Sequence, residues 1–335
     1  MVFVMGATLK TISEEVGISQ AAVSMILNRR ANDFSSQATR DKVFAIAKKL
    51  NYKQKFGHKV LRGESTRSVA VMIAMRRLLM EEQIQELVLL LLNKFEKSGY
   101  TPFLFTVAGN DAENLQMTRE LIQRGMDHFV SIGCPCGFDA MEREIRGSGR
   151  TIIGFDSMFQ RNLRNDTAYA IGETVKKFLA GGRTNFRVMV GSMASGGRID
   201  AVAGVFPELS REEVVRRYIV CTGFGGEVDN VDEIAAAGYR ATGEILAREP
   251  KVSALMYISD YHMVGGIRCL YERGIAVGRD IQLCGFNNIH AVRNGVFPLW
   301  TWQIDTEAVS ETLFRECAGT EAFGGSVLPE FKVIS

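Results

Sequence analysis

Two rhythms of apolar and polar positions divide the chain. Over the first fifty residues the apolar positions recur every three or four residues. They are Leu9, Ile12 and Val16, then Val23, Ile26 and Leu27, then Val43, Ile46, Ala47 and Leu50. That spacing places each set on one face of a helix, so three short helices sharing one small core are expected. From Ser68 onward the rhythm changes. Continuous apolar runs at 68–75, 102–107, 128–133 and 151–156 alternate with amphipathic stretches at 81–97, 113–124 and 138–146. After a break at 157–165 the alternation resumes. Helices are expected at 167–179, 199–206, 231–248 and 262–273, and strands at 187–191, 218–222, 254–259 and 282–286. Strands that are apolar throughout, separated by helices, belong to parallel sheets covered on both faces. The number of repeats suits two doubly wound lobes better than one. The predicted class is an all-α head followed by an α/β core of two parallel-sheet lobes. Ligands of such sheets bind beyond the carboxyl ends of the strands, so the cleft between lobes is the expected ligand site.

The head contains TLKTISEEVGISQAAVSMILN over residues 8–28. Thr8 can cap the first helix, Gly17 suits the left-handed turn that ends it, and Ser19 can cap the second. Helix, glycine turn and capped helix form the layout of a helix-turn-helix, whose second helix enters the DNA major groove. Gln20, Ala21, Ser24, Met25 and Asn28 are left on its outer side. A plain helical hairpin has the same layout, so charge matters. Residues 1–66 hold eleven Lys/Arg against five Asp/Glu, a net +6, and the remainder holds 29 against 33, a net −4. A basic head on an acidic body fits a polyanion partner for the head alone. Lys53, Lys55, Lys59 and Arg62 make the segment after Tyr52 basic, and it can order when phosphates neutralise it.

Hydrophobic content of 46% and charged content of 23% are ordinary for a globular protein, and no apolar run is long enough to span a bilayer. No secretory leader is evident at the start, so a cytoplasmic protein with reduced cysteines is expected. Six cysteines and four histidines are scattered, and Cys134-Pro135-Cys136 lacks a second pair at ligand spacing. Neither a metal nor another cofactor is expected. The glycine-rich stretches at 191–196 and 223–226 match no phosphate-loop pattern, and no nucleophile–base set appears. An enzyme is therefore not expected, and a small-molecule binding protein without a DNA role is the chief alternative.

The head, followed by TRDKVFAIAKKLNY at 39–52 and YKQKFGHKVLRGESTRSVAVMI at 52–73, resembles the lactose/galactose repressor (LacI/GalR) family of transcriptional regulators. Further landmarks occur in family order: IIGFD at 152–156, RND at 164–166, GGR at 181–183, Arg198, AGYRA at 237–241, ISD at 258–260 and GRDIQLCGFNN at 278–288. The resemblance implies a periplasmic-binding-protein-like core in which a small effector alters operator affinity. It implies three regions: a DNA-binding domain at 1–52, a hinge at 53–67, and an effector-binding and dimerisation core at 68–335. The lobes are expected at 68–165 with 297–325, and at 166–296 with 326–335.

By the same resemblance Gln20, Ala21 and Met25 stand where base-reading side chains sit. Thr8, Ser19, Ser24, Asn28 and Arg29 complete the expected contact surface. Met25 replaces a frequent arginine, which removes an arginine–guanine contact. Leu61 aligns with a leucine that wedges into the minor groove, and Lys59 with its basic neighbour. Gln54 departs from the usual proline, and Gly57-His58 from the usual alanines. In the cleft, the expected effector residues are Arg76, Arg77, Asp156, Arg198, Phe224, Ser259, Asp260 and Asn287. Arg76-Arg77 replaces an Asn-Pro-Phe-Phe-like segment and Asn287 replaces aspartate, so the effector is expected to be a sugar, sugar acid or sugar phosphate, with anions favoured. In the alternative, Arg76 or Arg77 faces solvent or a second subunit. The implied partners are double-stranded operator DNA, the effector, and a second copy in a homodimer or tetramer; no membrane is implied. The apolar helix at 81–97, with Ile84, Leu87, Val88, Leu91, Leu92 and Phe95, is the expected dimer surface.

Overall fold

The computed structural model describes residues 7–27, 33–50, 52, 64–107, 109–193, 196–223 and 230–334. The chain forms two compact units, Met1–Thr66 and Arg67–Ser335.

The head consists of α1 (Leu9–Val16), α2 (Gln20–Leu27) and α3 (Gln37–Lys49). Thr8 accepts from the Thr11 amide and completes a capping box with the Thr11 side chain. Gly17 ends α1 at φ +83°, a left-handed conformation that favours glycine. Ser19 Oγ then accepts from the Ala22 amide at 3.1 Å and starts α2. Ser36 caps α3 through the Thr39 amide. Ile12, Val16, Val23, Ile26, Val43 and Ala47 form the buried core, with Leu9, Leu27, Ile46, Leu50 and Tyr52 packed around it.

The core unit holds two six-stranded sheets. The first runs β11-β5-β4-β3-β1-β2, all parallel, with β1 Ser68–Ile73, β2 Thr101–Thr106, β3 His128–Ile132, β4 Thr151–Phe155, β5 Asn162–Asn165 and β11 Gly324–Val327. The second runs β12-β10-β9-β8-β6-β7, with β6 Phe186–Val190, β7 Ile219–Cys221, β8 Ala254–Met256, β9 Gln282–Phe286, β10 Leu299–Gln303 and β12 Glu330–Ile334. Only β12 is antiparallel there, against β10. Every position of β1 and β4 is buried, as continuous apolar runs require. Helices cover the sheets: α4 (Glu82–Lys97), α5 (Asp111–Gln123) and α6 (Phe138–Gly147) follow strands of the first. With the second go α7 (Thr167–Ala180), α8 (Gly196–Ala203), α9 (Arg211–Tyr218), α10 (Val231–Arg248), α11 (Asp260–Tyr271) and α12 (His290–Arg293). After β10 the chain returns to the first lobe, where α13 (Thr306–Glu316) packs on α4. No helix of the described residues is long and apolar enough to cross a membrane.

Several lobe and element bounds are corrected here. Residues 299–303 lie in the second sheet rather than the first lobe, because β10 pairs with β9 and buries Trp302 in the second lobe's core. Residues 326–327 belong to β11 and so stay in the first lobe. The break at 157–165 contains β5, and the charged segment 211–218 is helical, started by a capping box between Ser210 and Glu213. The apolar residues of α4 named above pack within the first lobe. Val309, Leu313 and Phe314 of α13 cover them, with Phe314 edge-on to Phe95 at 5.3 Å. Leu89, by contrast, remains 67% exposed.

Candidate functional site

Two surfaces carry chemistry, one in each unit. On the head, the side-chain caps leave Gln20 and Ala21 exposed at the start of α2, and Met25 half-buried one turn on. An amide and a small apolar side chain at a helix N-terminus are the groups that read base edges in a major groove. Ser24 departs from expectation. It is buried, because it stands three residues before Leu27 and so flanks the stripe that packs on the head core. Thr8 and Ser19 spend their hydroxyls on caps. Asn28, Arg29, Lys59 and Leu61 lie outside the described residues, as does Phe224 of the expected effector set.

In the core unit, a cleft of about 420 Å³ opens between the lobes. Its volume lies in the range of small-molecule sites. Five expected effector residues line it together: Arg77, Asp156, Arg198, Ser259 and Asn287. Each stands at or beyond the carboxyl end of a strand, or opens the helix that follows one, as parallel sheets require. Leu78, Ile84, Phe155, Ile258 and Phe286 add apolar walls. Asp156 (φ +49°) and Asn287 (φ +98°) both hold left-handed backbone, uncommon for residues with a side chain and found preferentially at functional sites.

Charged groups of both signs share the cleft. Arg77 contacts Glu81 at 3.5 Å from the short 3-10 segment Arg76–Met80. Glu81 is itself pushed above the usual carboxylate range by burial, with Arg77 opposing. Asp156 accepts from the Asn165 amide at 2.7 Å. Open to the cleft yet enclosed by protein, its carboxyl is pushed up to about 6 by burial, while that amide, Arg164 and Arg198 oppose. Burial also lowers Arg198, and Asp156 pulls it back. Its guanidinium lies 6.0 Å from the Phe286 ring centre. His262 shares a hydrogen bond with Ser259 Oγ at 2.9 Å. Burial and the charges of Arg198 and Arg77 lower it to about 4, so it is neutral at pH 7.

Two expected residues do not join the cleft. Arg76 is exposed, one residue away from the direction Arg77 takes. Asp260 is fully buried and turned inward, accepting from Thr301 Oγ1 at 2.9 Å and from the Ile289 amide at 3.1 Å. Conversely, Glu81, Gln83, Asn165, Tyr261 and His262 line the cleft without having been picked out. Asn165 ends β5, and its buried Oδ1 has no hydrogen-bond partner among the described residues. Strand-end position was the signal that could have found it.

Comparison with models of known families finds no match. Comparison with individual proteins does. The regulator AscG of Escherichia coli K12, described as an HTH-type transcriptional regulator, is 22% identical over 92% of this chain and 90% of its own length. The Lac repressor dimer bound to operator and the anti-inducer ONPF superposes with a TM-score of 0.78 at 18% identity, covering 98% of this chain and 99% of that one.

The fold is that of the LacI family.

The LacI/GalR resemblance read along the sequence is matched by the fold over 98% of the chain, and AscG, similar over 92% of it, is described as a helix-turn-helix transcriptional regulator. A CelR–cellobiose complex shares the LacI-type fold at a TM-score of 0.63 and 18% identity.

Proposed function

We propose that this chain is a DNA-binding transcriptional regulator whose operator affinity is set by a small polar effector held between the core lobes. The observation that carries the reading is a capped helix-turn-helix with exposed Gln20 and Ala21, joined in one chain to a two-lobed core with a polar cleft. Relatives that align over nearly the full length, head included, support it. Gel-shift titration against fragments of the host genome tests it: retarded bands from discrete fragments are expected, and uniform weak retardation at low salt alone would remove the DNA role.

For the effector, charge balance favours a neutral sugar over an acid. Arg77 is already paired with Glu81, and Asp156 adds a second carboxylate to the cleft, so an incoming anion would meet negative charge there. Cellobiose in the CelR complex supports the same class. A thermal-shift panel decides: stabilisation by neutral sugars is expected, and stabilisation by sugar acids or phosphates alone would reverse the assignment.

The homodimer reading moves from α4 to β2. This strand ends its sheet and exposes Phe103 (38%) and Leu104 (42%), with Phe103 stacked on Phe105 at 6.4 Å. An exposed apolar edge strand is an association surface unless covered. A second copy covers it in this proposal, in keeping with the dimeric Lac repressor that shares the fold.

A further inference from the structure

We propose that Glu82 and Tyr261 form a reciprocal latch that holds the lobes closed, each lobe supplying a cap for a helix of the other. Its regulatory consequence rests on reading the cleft as the effector site; the latch itself does not.

The first turn of a helix leaves amides without partners, and a nearby side chain usually satisfies one of them. Two helices at this rim lack such a cap from their own N-cap residue. In α4 the N-cap is Glu81, and in α12 it is Ile289; neither makes a side-chain capping bond. The missing partners come from across the cleft. Tyr261, in α11 of the second lobe, accepts at its hydroxyl from the Glu82 amide at 3.0 Å. The same hydroxyl donates to the Met80 carbonyl at 3.3 Å. In return the Glu82 carboxylate, in the first lobe, accepts from the His290 amide of α12 at 2.7 Å. Arg293 of α12 stands 4.0 Å from that carboxylate.

Glu82 therefore takes part twice, by backbone in one direction and by side chain in the other. A rigid-body opening of the lobes breaks both bonds, because each runs from one lobe to the other. Tyr261 also lines the effector cleft, so the latch sits at its rim. Its strength sets the closed fraction in the absence of effector. Apparent effector affinity scales with the competent fraction, so latch strength sets the concentration at which the regulator responds.

Hydrogen exchange on the full chain without ligand tests this, using Glu82→Ala, Glu82→Gln and Tyr261→Phe. Tyr261→Phe touches the start of α4 directly, and Glu82→Ala directly affects the start of α12. A latch predicts that each variant speeds exchange at both helix starts, by roughly fivefold, the effect of losing one cap. Glu82→Gln keeps an acceptor for the His290 amide and should stay near the wild type at both. If each variant speeds only the amide it bonds, the two contacts are independent local caps and the proposal is overturned. The measurement needs no DNA, so a chain that fails the gel-shift test can still carry the latch, and the reverse also holds.

Discussion

Asp260 offers the sharpest test of the core. Its position after a strand suggested a ligand group, yet the structure makes it an internal tie. It opens α11, and its carboxylate takes the Thr301 hydroxyl of β10 and the Ile289 amide of the loop after β9. Gly285 of β9 lies so close that a Cβ there would stand 2.1 Å from Asp260 Oδ1. Replacing Asp260 by alanine leaves two buried donors without this acceptor. At about 1–3 kcal/mol for each orphaned group, the loss should reach about 2–5 kcal/mol. Asparagine keeps a carbonyl of the same shape and should lose far less.

The pH dependence separates the two states of the carboxyl. Burial first, against the Thr301 and Ile289 bonds, raises Asp260 well above the usual carboxylate range. A folded-state value above the unfolded one means that the folded protein binds the proton more tightly. The stabilising contribution is then full below about pH 3.9 and is lost as pH rises through the raised value, by up to about 1.4 kcal/mol per unit. Asparagine does not titrate, so Asp260→Asn should gain on the wild type as pH rises from about 3.9 through the raised value. Urea unfolding followed by Trp300 and Trp302 fluorescence reads this directly, since both flank Thr301. Equal midpoints for Asp260→Ala and the wild type would refute the internal tie. A gap between Asp260→Asn and the wild type that ignores pH would refute the raised pKa.

Three further outcomes follow from the same geometry. Gly265→Ala would place a Cβ 1.7 Å from the Ala235 carbonyl oxygen of α10; separating α10 from α11 to relieve it should lower stability by about 1–3 kcal/mol, read by denaturant midpoint. Gln20→Ala should leave the melting temperature unchanged, because the side chain is exposed, while weakening the specific gel-shift band by about 1–3 kcal/mol and sparing non-specific retardation. Phe103→Lys should convert a dimer to a monomer in sedimentation at micromolar concentration, whereas Leu89→Lys on α4 should not.

The head was legible because its determinants are local. Thr8, Gly17 and Ser19 fix two helices within a dozen residues, and the apolar stripes follow. Ser24 was misplaced because polarity alone was taken to mean exposure at a position flanking Leu27. In the core, β1 and β4 were plain because both faces are buried. The helix Arg211–Tyr218 was invisible to pattern reading, since only Val214 of its eight residues is buried and charge dominates the rest. Strands β5, β10, β11 and β12 depend on partners far along the chain, such as Gly324 beside Asn162, and short segments carry no period that reports such pairing.

The cleft shows the same division at the level of chemistry. The family resemblance named Arg77, Asp156, Arg198 and Asn287 as cleft residues, and the structure brings them to one place. What the resemblance could not supply was which charges meet. Arg76 and Arg77 at one strand end, with Asn287 in place of aspartate, read as an anion site. With Arg76 exposed, Arg77 paired with Glu81, and Asp156 in the same cleft, the site reads as a neutral one, and an Asp156 carboxyl pushed up to about 6 makes the balance sensitive to mild acid. Protonating Asp156 removes a negative charge from the cleft and tilts it toward anions. A thermal-shift panel repeated at pH 5 and pH 7.5 should therefore show sugar acids gaining relative to neutral sugars at the lower pH. A preference that does not move with pH would mean that Asp156 and Arg198 do not set the charge the effector meets.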